Sequence, residues 1–388
     1  MSQRWQSLAA LTLARAAMGF QFQSVAAVAP MLAGELRVDN TQLGWLIGLY
    51  LLPGVVFALP GGLLGRRFGD KPIVLAGLIL MAIGGLWLAL AGSFVQANAA
   101  RLTSGIGAVM LNVVVTKMVT DLFEGKERLL AMSILINSWP IGIGIALVLL
   151  APLGEVAGWR WGIVSSAVFA AIGFAVVMAF SRSVAAQAPA AAHSGLGLST
   201  LTRREWQLLM IGSLPWWLYN AAFQIVMSFM PLFFVGTGIG IASAGSLVAL
   251  NAVLFVVGVQ AGGFLLKRTS RPDMICHLAI VAWCASLIFI ATGSTPLPWL
   301  VIGGMLGGIP AARLVSLPGE FLSPESRSVG MGVFYTVYYL GCAVLPSLAG
   351  ALYDRSGGGA ALVMAAAVAM ASTVTLGVFR QAMARSRE

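Results

Sequence analysis

The sequence repeats itself at a fixed distance. Phe22-Gln23, followed by Pro30, reappears as Phe223-Gln224, followed by Pro231, 201 residues further on. The same displacement carries Gly61-Gly62, Arg66-Arg67 and Lys71-Pro72 onto Gly262-Gly263, Lys267-Arg268 and Arg271-Pro272. Later the register slips by only two residues, and Asp121, Arg128, Met132 and Gly142 meet Glu320, Arg327, Met331 and Gly341. A duplication at half the chain length requires both halves to fold by the same rules, so the expected architecture is two related units.

Composition decides the solvent of those units. Hydrophobic residues make up 59% of the chain and charged residues 9%, against about 25% charged in a soluble domain. Hydrocarbon cannot satisfy free N–H and C=O groups, so a crossing of about 30 Å takes roughly 20 apolar residues as helix. Twelve such spans are expected, at 7–34, 41–64, 72–92, 97–120, 128–151, 160–181, 206–235, 241–266, 273–293, 298–319, 327–351 and 359–380. The fold class is therefore an all-α membrane protein, with twelve transmembrane helices in two pseudo-symmetric six-helix bundles. Residues 1–181 form the first bundle and 206–388 the second. The Ala-, Ser- and Gly-rich stretch 182–205 is the cytoplasmic linker.

The net charge of +10 is distributed as a membrane protein requires. With both termini cytoplasmic, outside loops hold only Arg37, Arg160 and Arg355, and four cations lie within spans. The other sixteen face the cytoplasm, which is the positive-inside pattern of a bacterial inner-membrane protein. No soluble basic domain exists to bind nucleic acid. Residues 4–29 could pass for a secretory leader, but this segment matches an internal helix, which argues against cleavage. Cys276, Cys284 and Cys342 lie in apolar stretches without metal-like spacing, and His193 and His277 have no metal-spaced partner. Neither paired intramembrane carboxylates nor a nucleophile-base arrangement is found, so no catalytic site, metal or cofactor is expected and the chain is not read as an enzyme.

Gly62-Leu-Leu-Gly-Arg66-Arg67-Phe-Gly69-Asp70-Lys71, between the second and third spans, resembles the signature loop of the major facilitator superfamily. The family pattern has Asp where this chain has Arg66. Arg101-Leu-Thr-Ser-Gly105-Ile-Gly107, opening the fourth span, is similar to the superfamily's Arg-x-x-x-Gly-x-Gly motif, and Gly158-Trp159-Arg160-Trp161 is also common there. The resemblance implies a monomeric secondary transporter whose first, fourth, seventh and tenth helices line a central cavity. It implies a structural or gating role for Gly62, Arg66, Arg67, Gly69, Asp70, Lys71, Arg101 and Gly105. A fainter resemblance reaches the cyanate/nitrate side of the superfamily. The fifth-span Gly-Pro signature of antiporters is absent: Ser138-Trp139-Pro140-Ile141-Gly142 stands there.

The residues themselves point to an anion. Ionisable groups inside a bilayer cost several kcal/mol and face a cavity or a partner. Arg15, Arg101, Lys117 and Arg313 lie within spans, whereas all thirteen acids fall in loops or at span ends. An unbalanced buried cation calls for an anionic ligand. Arg15 lies about eight residues, or about 12 Å, inside its span, and Arg313 sits at comparable depth in the other half. The expected site is a two-arginine clamp on a small anion, because guanidinium forks grip carboxylates and oxyanions bidentately. Helical spacing adds Phe22, Gln23 and Asn112 from the first half and Tyr219, Asn220 and Gln224 from the second, with Trp216, Tyr335, Tyr338 and Tyr339 as aromatic walls. Short carboxylates and nitrate-, nitrite- or cyanate-like ions fit that site, with a coupling proton or counter-anion as further partner. Lipophilic-drug efflux and a non-transporting sensor are the alternatives. The first calls for cavity carboxylates and the second for a soluble signalling domain, and neither is present.

Overall fold

The computed structural model describes residues 3–57, 68–123, 125–181, 201–293, 295–323 and 326–386. Gly62, Arg66 and Arg67 of the signature loop, and linker positions 182–200, lie outside these residues. Every regular element among the described residues is helical: α1 Gln3–Ala27, α2 Ala29–Leu36, α3 Asn40–Leu49, α4 Gly54–Phe57, α5 Asp70–Leu90, α6 Phe94–Leu122, α7 Gly125–Ala157 and α8 Trp159–Phe180. The second half contains α9 Arg203–Gly236, α10 Ile241–Arg268, α11 Pro272–Ala291, α12 Pro296–Gly308, α13 Ala311–Ser316, a 3₁₀ turn Leu317–Glu320, α14 Arg327–Ser356 and α15 Gly358–Arg385. Among the described residues, eleven helical stretches are long and apolar enough to cross a bilayer, and α1 with α2 makes up to a twelfth.

Prolines break three of the spans. Pro30 has no N–H to continue the ladder of α1, and α2 leaves at 60°. Pro53 ends the turn that separates α3 from α4, and Pro310 separates α12 from α13. Pro140, in contrast, sits inside the continuous helix α7.

The chain divides into two compact units, Met1–Val38 with Leu49–Ser194, and Gly195–Glu388 with Asp39–Gly48. In the first, α1 packs on α7 and α8, and α5 on α6 and α8. In the second, α9 packs on α14 and α15, and α11 on α12 and α15. These are the same pairings shifted by the repeat, so the duplication seen in the sequence extends to helix contacts. Small residues permit the close approaches: a Cβ on Gly77 or Gly107 would run into the other's carbonyl where α5 meets α6. Large apolar side chains such as Leu86, Leu90 and Ile172, and Phe264, Leu278 and Leu340, stay exposed. Bare hydrocarbon on the outer face is what lipid, rather than water, tolerates.

Candidate functional site

In the first unit the candidate residues gather around Arg15. Its Nε donates to Asn112 Oδ1 of α6 at 2.9 Å, and its Nη1 to the carbonyls of Leu135 and Ile136 at 2.7 and 3.0 Å. Pro140 explains the second carbonyl. In an α-helix the oxygen of residue 136 is bonded by the N–H of residue 140, and proline has none. Arg15 therefore supplies the donor that the helix lacks. Ser138 Oγ lies 3.4 Å from Nη1 and itself donates to Leu135 at 2.5 Å. The side chain is half-buried and its guanidinium is held from several sides. Asn112 shares one face of α6 with Arg101, Gly105 and Ala108, as the helical spacing requires.

Arg101 occupies a different environment. It is fully buried, donates to the carbonyls of Gln21 and Phe22 at 2.9 and 2.7 Å, and stands 4.4 Å over the Tyr50 ring. These carbonyls belong to the last turns of α1, just before its break, where the helix dipole is negative. Gly105, one turn on, faces the Tyr50 carbonyl so closely that a Cβ would collide with it. Phe22 is sealed against Trp139 and Tyr50, and Gln23 is likewise fully buried.

The described end of the signature loop is well fixed. Gly69 has φ of 87°, a conformation that disfavours side-chain-bearing residues. Asp70 then opens α5 and binds Lys117 Nζ at 2.6 Å, with Asp121 at 3.2 Å on the same ammonium. Lys71 Nζ donates to the carbonyls of Met178 and Ser181 at 2.8 and 2.6 Å, capping the negative end of α8.

The second unit corrects one expectation. Arg313 was expected to have no protein counterion, but its Nε lies 2.9 Å from Asp273 and its Nη1 2.6 Å from Glu320. Arg380 completes the square, with Asp273 at 2.7 Å and Glu320 at 2.6 Å. With Lys117 paired as well, two of the four intramembrane cations are neutralised by acids. The reason is topological: Asp70 and Asp273 each sit at the start of the span before the one carrying the cation, Lys117 and Arg313 respectively, so partners distant in sequence meet at one end of the bundle. Near-equivalent positions of Asp70 and Asp273 in the repeat were the available signal.

Along α9, Tyr219 is 1% exposed and its hydroxyl donates to Gly307 at 2.6 Å, which ties α9 to α12. Asn220 is half-buried and donates to the Trp216 carbonyl at 2.8 Å. Trp216 lies nearly parallel to Tyr219 and to Tyr338, with centroids 6.1 and 6.2 Å away, and Tyr335 meets Tyr338 edge-on. Gln224 is buried beside the Cys342 thiol. The structure thus groups Arg15 with Asn112 in one unit, and Trp216, Asn220, Tyr335 and Tyr338 in the other. Sequence reasoning missed the carboxylate of Glu205, which accepts from Thr202, Ser323 and Ser326 and pins the start of α9. The Thr-x-x-Glu capping box at 202–205 was legible.

Residues 11–346 match the sequence profile of the family described as Major Facilitator Superfamily. The chain is 27% identical over 381 residues to the 3-(3-hydroxy-phenyl)propionate transporter of Escherichia coli (strain K12), covering 95% of this chain and 92% of that one. It is 20% identical over 265 residues to the hexuronate transporter of Bacillus subtilis (strain 168), covering 65% of this chain and 63% of that one. The crystal structure of a bacterial homologue of the human lysosomal transporter Spinster aligns with a TM-score of 0.71 at 18% identity, over 100% of this chain and 97% of that one. At that identity the likeness is one of fold alone.

Proposed function

The chain belongs to the Major Facilitator Superfamily and is an integral membrane transporter, and from that premise we propose that its cargo is a small organic acid carried as the carboxylate. Arg15 is the binding cation, with Asn112 beside it. The observation that carries this reading is the way Arg15 is held: Asn112 and the turn opened by Pro140 fix the guanidinium before any solute arrives. A pre-positioned guanidinium loses less rotamer freedom on binding than a free side chain would. Two relatives named for organic acids support an organic rather than an inorganic anion.

Arg313 is left out of the proposed site, because Asp273 and Glu320 already neutralise its charge. Phe22 and Gln23 back the site rather than contact the solute, since each is buried in its own packing. Tyr219, Asn220 and Gln224 of α9 belong to the other unit and are left out of the proposed site. Transport proceeds by alternating access in a monomer of the bacterial inner membrane, with both termini cytoplasmic by the positive-inside pattern. A proton or a counter-anion provides the coupling.

Uptake of labelled organic acids into vesicles containing the purified protein tests this. A charge-assisted hydrogen bond contributes about 1.5–3 kcal/mol, so Arg15→Ala lowers uptake efficiency by about 10- to 100-fold. Arg15→Lys recovers part of it, because charge survives and the bonds that hold the guanidinium in place do not. Wild-type uptake by Arg15→Ala, with thermal stability checked, rules the proposal out.

A further inference from the structure

Where α1 packs on α7 and α8 its surface is hollow. Ala9, Thr12 and Ala16 follow at helical spacing and share one face of α1, and none of the three is large enough to fill the space between the neighbouring helices. The result is a groove of about 470 Å³, lined from Trp5 to Ala16 along α1 and from Ile134 to Ile145 along α7, with Phe169 of α8 completing the wall. Phe169 is itself held edge-on to Phe20 at 5.2 Å, so packing fixes that wall. Among the described residues no charged side chain lines the groove. Its two hydroxyls offer it no polar surface: Ser138 is 1% exposed and donates to the Leu135 carbonyl, and Thr12 Oγ1 is buried without a partner. Ile134, Ile141 and Ile145 are exposed and continue the outer apolar surface that meets lipid.

We propose that this groove binds one acyl chain of a membrane phospholipid. Arg15 does not line it, so the inference does not depend on the cargo. Water in the groove would lack the two to four polar partners that an ordered molecule requires, so hydrocarbon is the medium that fills it. Length and width select the form of that hydrocarbon. From Trp5 to Ala16 the lining follows α1 for about 16 Å, close to half of the roughly 30 Å core and so to the depth of one leaflet. The stated volume over that length leaves a channel about 6 Å wide, too narrow for a helix of about 10 Å and wide enough for one extended chain. On a flat lipid-facing surface a chain is touched from one side. Here α1, α7 and α8 touch it from three, and the added dispersion contacts hold it in place.

Photolabelling of the full-length protein tests this. The probe is phosphatidylcholine with a diazirine midway along one acyl chain, diluted into phosphatidylethanolamine vesicles that contain the protein, and the adducts are mapped by mass spectrometry. Adducts within residues 5–16 and 134–145 exceed those at Leu278 and Leu340, which are 62% and 50% exposed on other helices, by at least about threefold. Ala9 is exposed, so a larger side chain there enters the groove without displacing the core. Ala9→Phe removes the excess, and Ala9→Leu, the smaller filler, serves if the first fails to fold. Leu278→Phe leaves the excess unchanged. Labelling that is even across all exposed positions, or an excess that survives a folded Ala9 variant, overturns the proposal. Protection of both stretches by octanoate that is lost in Arg15→Ala assigns the groove to the tail of a cargo acid and overturns it as well.

Discussion

A proline inside a membrane helix leaves a carbonyl that hydrocarbon cannot satisfy, and in α7 that carbonyl belongs to Ile136. Arg15 satisfies it at 3.0 Å, so one side chain both repairs the helix and presents a cation. Pro140→Ala restores the N–H and competes for the same oxygen. The expected result is an organic-acid affinity weakened about two- to tenfold, the cost of immobilising one long side chain, with no loss of thermal stability. Titration of the variant beside the wild type measures it. Arg313 belongs to a different kind of site. Its square with Asp273, Glu320 and Arg380 is partly buried, and Arg313→Gln lowers the melting temperature without changing substrate KM. A double-mutant cycle with Asp273→Asn gives a coupling of about 1 kcal/mol. A raised KM with unchanged stability would return Arg313 to the substrate. Depth and residue type were readable for both arginines. Their partners were not, because Asp273 lies 40 positions from Arg313 and nothing local marks the pairing.

At the scale of elements, α3 shows how a helix start is secured from a distance. Asp354, near the end of α14, accepts from the backbone N–H and side chain of both Asn40 and Thr41, at distances from 2.7 to 3.1 Å. One carboxylate thereby satisfies two orphan donors at the positive end of α3. Gly44 and Gly48 face the carbonyls of Pro346 and Ala343 along the same contact, where a Cβ on either would clash. Loss of such a cap costs about 1 kcal/mol, so Asp354→Ala raises amide exchange at the first turn of α3 about fivefold while α5 and α11 exchange as before. Exchange unchanged at Asn40–Leu43 would show that the cap carries no stability. The run Asp39-Asn40-Thr41 announced a helix start in the sequence, but its partner 314 residues away did not. Helix breaks divided in the same way: Pro30 and Pro310 marked their bends, whereas their severity is set by packing rather than by proline alone.

For the molecule as a whole the duplication supplied most of the architecture, because Phe22-Gln23 and Phe223-Gln224 sit in helices with the same neighbours. It did not extend to the site. Under the 201-residue register Arg15 falls on Trp216, so the halves diverge where the solute is proposed to bind, and the clamp of two arginines was drawn from unbalanced charge and depth rather than from the repeat. Symmetry serves helix packing, which tolerates it, while a single binding cation is needed in one half only. That asymmetry centres on the carboxylate at Arg15, and a chemical cycle tests it most directly. Calorimetric titration would compare an organic acid that binds the wild type with its primary amide, in the wild type and in Arg15→Ala. If Arg15 grips the carboxylate, the acid binds the wild type about 10- to 100-fold more tightly than the amide, and that preference disappears in Arg15→Ala. An amide that binds the wild type as well as the acid does, or a preference that survives without Arg15, contradicts it.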